Sequence, residues 1–237
     1  MKLPKLTNIG AILSVSNWET VKRVASPKNG SHISGETATH ANTRLTALTG
    51  LLIFLLLAAE GVTVPFVGQL FTLHAFIGWL LLPPILLKIS STSYRFVMYY
   101  VGNPRYTKAG PPKPLLRIIG PLIIITTTLL MWSGIEMVLI GPHGSNIAFW
   151  GTIHKASFIF WFGLMAVHVL AYFLKAGTLS ISELARRSGA HSVRTSGRLI
   201  RLAVVAGSLV LGAILGLHQW HLTGPWVAMF ADHQKFG

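Results

Sequence analysis

Five stretches of this chain, near residues 45–64, 66–88, 117–140, 148–174 and 199–219, stay apolar over the ~20 residues that one helix needs to cross a bilayer. Hydrocarbon offers backbone amides no partner outside their own helix, so each stretch is expected to fold as one. Composition agrees: 51% hydrophobic residues, 11% charged residues and a mean hydropathy of +0.58 are too apolar for an ordinary soluble domain. The expected fold class is an all-α membrane protein, a five-span helical bundle in which four helices form the core. Residues 1–39 form an N-terminal tail, 40–222 the transmembrane domain and 223–237 a C-terminal tail.

Charge sets the orientation. Of the 20 Lys and Arg residues, 18 fall in the N-terminal segment, in the links after the second and fourth spans, or at the span ends that border them. Only Lys155 and Lys235 lie elsewhere. By the positive-inside rule the N-terminus is cytoplasmic and, after five crossings, the C-terminus is outside. The net charge of +14 is thus a topology signal with anionic lipid headgroups as its ordinary partners, and nucleic acid is not expected. The first 39 residues read as a weakly structured cytoplasmic tail with a short surface helix. Lys2 and Lys5 lead into too short an apolar core for a secretory signal peptide. Gly102 to Pro114 and Ser188 to Gly197 read as loops, and Tyr94, Tyr99, Tyr100 and Tyr106 cluster at the inner boundary. Cysteine is absent, which removes disulfides, thiolate-ligated clusters and cysteine nucleophiles and leaves histidine as the main candidate metal ligand.

His154 and His168 stand fourteen residues apart in the apolar run IHKASFIFWFGLMAVHVLAYF. At about 100° and 1.5 Å per residue, the two imidazoles fall within roughly 40° of one another and roughly 21 Å apart along the axis. An imidazole is costly to bury in hydrocarbon alone, so a stripe of them calls for something to bind, and haem iron held by histidines from facing helices is the expected partner. The second span runs in the same direction as the fourth, which puts His74 at the depth of His154 near the outer side. Fourteen residues beyond His74 stands Lys88 rather than histidine. The remaining inner candidate is His40, which reaches the membrane if its group THANTR is helical. Gly78, one turn below His74, and Gly120 and Gly134, again fourteen apart, are candidates for macrocycle clearance. Pro83 and Pro84 should bend the second span. Lys155 is placed to pair with an outer propionate near Glu60 and Glu136, and Arg44 and Arg117 with inner ones. His218 and His221, like His32, His143, His191 and His233, read as interface, loop or tail residues.

With these residues the chain resembles the b-type cytochromes grouped as bacterial cytochrome b561 and the membrane subunits of nickel-iron hydrogenases and formate dehydrogenases. The resemblance covers approximately residues 40–175 and is carried by His74 and the fourth-span pair. It implies haem ligands from the first, second and fourth spans: His74 and His154 for an outer haem b, His40 and His168 for an inner one. The stretches LHAFIGWLLLPPILLKI and HKASFIFWFGLMAVHVL also look like segments of cytochromes that accompany molybdopterin oxidoreductases of the sulfite-oxidase type. The implied protein sits in the bacterial plasma membrane and passes electrons between the quinone pool and an outer-side partner oxidoreductase. It would be an electron-transfer subunit rather than a catalyst by itself, with two haems favoured over one. Rival expectations are a small ion or proton transporter and a haem-free membrane anchor.

Overall fold

The computed structural model describes the backbone of residues 38–107, 114–185 and 192–236, and the side chains of 41–104, 106–107, 117–170 and 197–232. Of the tail expected over residues 1–39, residues 1–37 lie outside them, as do the side chains of His40, His32, His191 and His233, while 38–39 already belong to a helix. Every described element is helical: α1 (Ala38–Thr63), a 3₁₀ turn (Val64–Phe66), α2 (Val67–Tyr100), α3 (Pro104–Thr107), α4 (Pro114–Ile140), α5 (Ile147–Ala185), α6 (Ser192–His218), a second 3₁₀ turn (Trp220–Thr223) and α7 (Gly224–Phe236). Four stretches are long and apolar enough to cross a membrane, the first of them the 60 residues Ala41–Tyr100. That first stretch is two helices, because the chain reverses at Val64–Phe66 and lays α2 back along α1. The protein is therefore a multi-pass bundle, with five long helices among the described residues.

Local chemistry makes that reversal. Pro65 suits the first residues of a 3₁₀ turn, where its missing N–H costs nothing, and the Thr63 hydroxyl ties down the end of α1 by donating to the Glu60 carbonyl at 2.6 Å. Leu70 leaves helical backbone geometry (φ −110°, ψ 21°), so the straight part of α2 starts just before Phe71. From there the hairpin closes antiparallel: Ile53 of α1 packs with Ile77, Leu81 and Ile85 of α2, and further along Thr46 and Ser91 share a hydroxyl hydrogen bond of 3.1 Å. Between helices in lipid there is no hydrophobic drive, so close packing and such hydrogen bonds do the holding. Several other hydroxyls are satisfied within their own helix, as with Thr49 on the Leu45 carbonyl and Thr128 on that of Ile124, both at 2.8 Å.

α4 and α5 form a second hairpin, pinned by the Trp161 indole donating to the Thr127 hydroxyl at 3.0 Å. α1 packs on α5 and α2 touches α4, so these four helices close into a ring. α6 lies outside it on α2. Its approach is very close: a methyl group at Gly212 would collide with the Leu80 carbonyl oxygen, and one at Gly216 would stand 2.7 Å from the Phe76 ring. Pro84 explains the site of contact, since it has no N–H to give the carbonyl four residues before it, and that carbonyl is Leu80's. A glycine Cα–H is the weak donor that can come near enough to compensate. Away from the contacts the surface is apolar, with Ile159, Phe160 and Leu170 of α5 exposed by 70%, 70% and 84%, as befits a lipid-facing side.

Helices run beyond the apolar windows at several ends: α2 continues to Tyr100 and α5 to Ala185. The stretch expected as a C-terminal tail is α7, which docks on the start of α2 by stacking Trp226 on Phe71 with ring centroids 5.0 Å apart. Thr223 and Thr72 add a hydroxyl contact of 3.2 Å beside it.

Candidate functional site

His74 and His154 meet inside the ring of four helices. Their ring centroids are 6.5 Å apart with the planes at 82°. His74 stands one turn beyond the break at Leu70, which turns it toward the last turn of α1; His154 stands two turns into α5, against the last third of α4.

Each imidazole is held by the same nitrogen. His154 Nδ1 lies 3.1 Å from the Leu130 carbonyl oxygen and 3.2 Å from the Ser133 hydroxyl. A carbonyl can only accept, and the fully buried Ser133 hydroxyl already donates to the Leu129 and Leu130 carbonyls at 2.7 and 3.0 Å. The ring proton is therefore assigned to Nδ1. His74 Nδ1 lies 2.9 Å from the Thr63 hydroxyl and 3.1 Å from Glu60 Oε1. Thr63 has given its own proton to the Glu60 carbonyl, so His74 too is the donor at Nδ1. Among the described residues neither Nε2 makes a hydrogen bond. Both lone pairs at Nε2 remain available to a metal ion. Donation from the far nitrogen to a carboxylate or a carbonyl is the usual support for a ligating histidine.

The spacing also suits the haem expected from the sequence. The 6.5 Å between ring centres would admit one metal ion at about 2 Å from a nitrogen of each ring. Among the described residues no group of three or more His, Asp or Glu side chains converges. Two imidazoles suffice where a porphyrin fills the other coordination positions, whereas a metal held by protein alone needs more.

Gly134 lies against the His154 ring, where a Cβ would stand 3.0 Å from Cε1. The space there is taken by the imidazole. Beside Gly78 and Gly120 nothing lies within 4 Å of where a Cβ would stand. Lys155 is exposed, Glu136 and Arg44 are half-buried, and Arg117 is exposed at the start of α4.

At the second level, fourteen residues from His74, Lys88 reaches across Gly50 of α1 to donate to the Thr46 carbonyl at 2.6 Å. Gly50 is what admits it: a Cβ there would stand 2.9 Å from the ammonium nitrogen. His168 is half-buried. His40 belongs to α1, six residues before Thr46, and THANTR is helical; where its imidazole points lies outside the described side chains. His218 and His221 are exposed, and the Nδ1 of the second sits 2.9 Å from the carbonyl of the first. Exposed His143 is in the turn between α4 and α5.

Thr63, Ser133 and the Leu130 carbonyl had no place in the sequence reading, and Glu60 entered it as an outer charge and, for the rival transporter, as part of an ion path. A polar residue in a membrane span was the available signal. Which imidazole it serves depends on how two helices face one another. The chain matches no family model, no curated protein and no solved structure.

Proposed function

We propose that the protein is a membrane-bound b-type cytochrome, an electron-transfer subunit working between the quinone pool and a partner oxidoreductase. One observation carries the reading: two imidazoles from different helices, each anchored through Nδ1, lie with ring centroids 6.5 Å apart inside a bundle of membrane-spanning helices. His74 and His154 would hold the iron of the outer haem b, and His168 with His40 that of an inner one. When bound, haem would supply a one-electron carrier. The chain's own part is to present two neutral imidazoles, to fix their tautomer and rotation, and to surround them with apolar helix faces. Lys155 and Arg44 are assigned to haem propionates. The partner is proposed to be a molybdopterin enzyme on the outer side of a bacterial plasma membrane.

Pyridine haemochrome analysis of the purified full chain tests this. A haem b α-band at near two haems per chain is expected, and His74→Ala or His154→Ala should each remove about one. A colourless protein ends the proposal and leaves the haem-free anchor or the ion transporter in its place.

A further inference from the structure

The turn that joins α6 to α7 brings a second pair of imidazoles together, at the end of the bundle where α2 begins. His218 is the last residue of α6, and His221 is the second residue of the 3₁₀ turn Trp220–Thr223. Side chains three apart stand nearly one above the other in such a turn, and the two ring centroids are 6.4 Å apart with their planes at 81°. His221 Nδ1 lies 2.9 Å from the His218 carbonyl oxygen. A carbonyl only accepts, so the proton is assigned to Nδ1 and the lone pair on His221 Nε2 is left for a ligand. Among the described residues the His218 ring makes no hydrogen bond. The turn beneath the pair is well held: Trp220 packs on the Phe76 ring at 6.0 Å, and the buried Thr223 hydroxyl donates to the Trp220 carbonyl at 2.8 Å. Thr72 of α2 donates in turn to that hydroxyl at 3.2 Å.

We propose that His218 and His221 form a surface site for a divalent transition-metal ion of the zinc and copper class, a site that stands apart from the haem reading. The 6.4 Å between ring centres would admit one such ion at about 2 Å from a nitrogen of each ring. Both rings are exposed, so water completes the coordination that the buried pair leaves to a porphyrin. Imidazole nitrogen selects zinc, copper and nickel over magnesium and calcium, which take oxygen ligands. Two features of the fold separate this pair from loose surface histidines. The hydrogen bond to the His218 carbonyl fixes the tautomer and rotation of the His221 ring, the support a ligating histidine usually has. The pair also stands at the carbonyl end of the 27-residue helix α6, where the helix dipole favours a cation.

Titration calorimetry of the purified full chain, carrying no added histidine tag, with zinc chloride and with copper(II) chloride tests the site. His218→Ala removes one imidazole and leaves the backbone carbonyl that holds the other. His221→Gln removes the second imidazole and keeps an amide that can still donate to that carbonyl. Wild type should bind one equivalent of zinc more than either variant, and should bind copper more tightly than zinc, as the order of divalent affinities requires. The copper(II) spin resonance spectrum should carry hyperfine structure from two nitrogens in the wild type and lose it in both variants. Added zinc should raise the melting temperature of the wild type and leave that of His218→Ala where it was, since an ion bound only by the folded chain stabilises it. A zinc stoichiometry in either variant equal to that of the wild type, or an equal thermal shift in His218→Ala, overturns the proposal. The haem α-band has no part in the readout, so failure of the cytochrome reading and failure of this site are distinguishable.

Discussion

His154 carries its proton on Nδ1 because the Leu130 carbonyl has none to give and Ser133 has given its own away. That redundancy makes a graded prediction. Ser133→Ala leaves the carbonyl as acceptor, so the protein should retain haem on purification but bind it about tenfold more weakly, the lower end of what loss of a ligand's supporting contact costs. Competition with an apo-haem acceptor protein measures it. Gly134→Leu is the severe change at the same spot. A Cβ there already stands 3.0 Å from the His154 ring, and the rest of a leucine must displace the imidazole, so the outer α-band should be lost. Retention of a normal band in Gly134→Leu would mean that the ring is not held where its contacts put it.

The elements divide the work between the ring and its outside. α2 and α5 carry the imidazoles, α1 and α4 hold them, and α6 is attached to α2 through glycines. Leu80, the residue whose carbonyl meets Gly212, is about 120° around α2 from His74. Stability and cofactor binding should therefore separate. Gly212→Leu forces overpacking where α6 crosses α2 and should cost about 1–3 kcal/mol. Thermal or denaturant unfolding should show that loss while the haem content stays at the wild-type level. Loss of haem in this variant would show instead that the ring of four helices needs α6 to hold its shape. The hairpin of α1 and α2 is stitched differently at its two ends, with Lys88, Thr46, Ser91 and Asn42 joined by hydrogen bonds at one and Glu60, Thr63 and His74 at the other.

For the whole molecule, the basic residues and the helix count together set a testable orientation. With 18 of 20 Lys and Arg in the N-terminal segment, in the links after the second and fourth spans or at the span ends that border them, and with five long helices among the described residues, the C-terminus should lie on the opposite side from the N-terminus. A phosphatase fused after the last residue should be active outside the cell, and a fluorescent protein fused there by the same export route should stay dark. The reverse pattern would invert the assignment of the His74 level to the outer side and the Lys88 level to the inner one. It would leave the pairing of His74 with His154 untouched, because that pairing depends on helix packing and not on which face looks outward.

Apolar length alone decided that this chain crosses a membrane as helices, because the need to satisfy backbone hydrogen bonds in hydrocarbon is local and admits few solutions. Spacing alone placed His154 and His168 on one stripe, since helical geometry is fixed. The same windows stopped short of the true ends of α2 and α5 and left α7 as a tail, because hydropathy reports the solvent a residue sits in and not whether its amide is in a helix. Nothing along the chain says how far one helix is rotated against the next. That rotation gave Glu60 and Thr63 to His74, gave the Leu130 carbonyl and Ser133 to His154, and filled the space at Gly134 with an imidazole. Contacts between helices depend on two rotations and an offset at once, and only the packed bundle fixes all three.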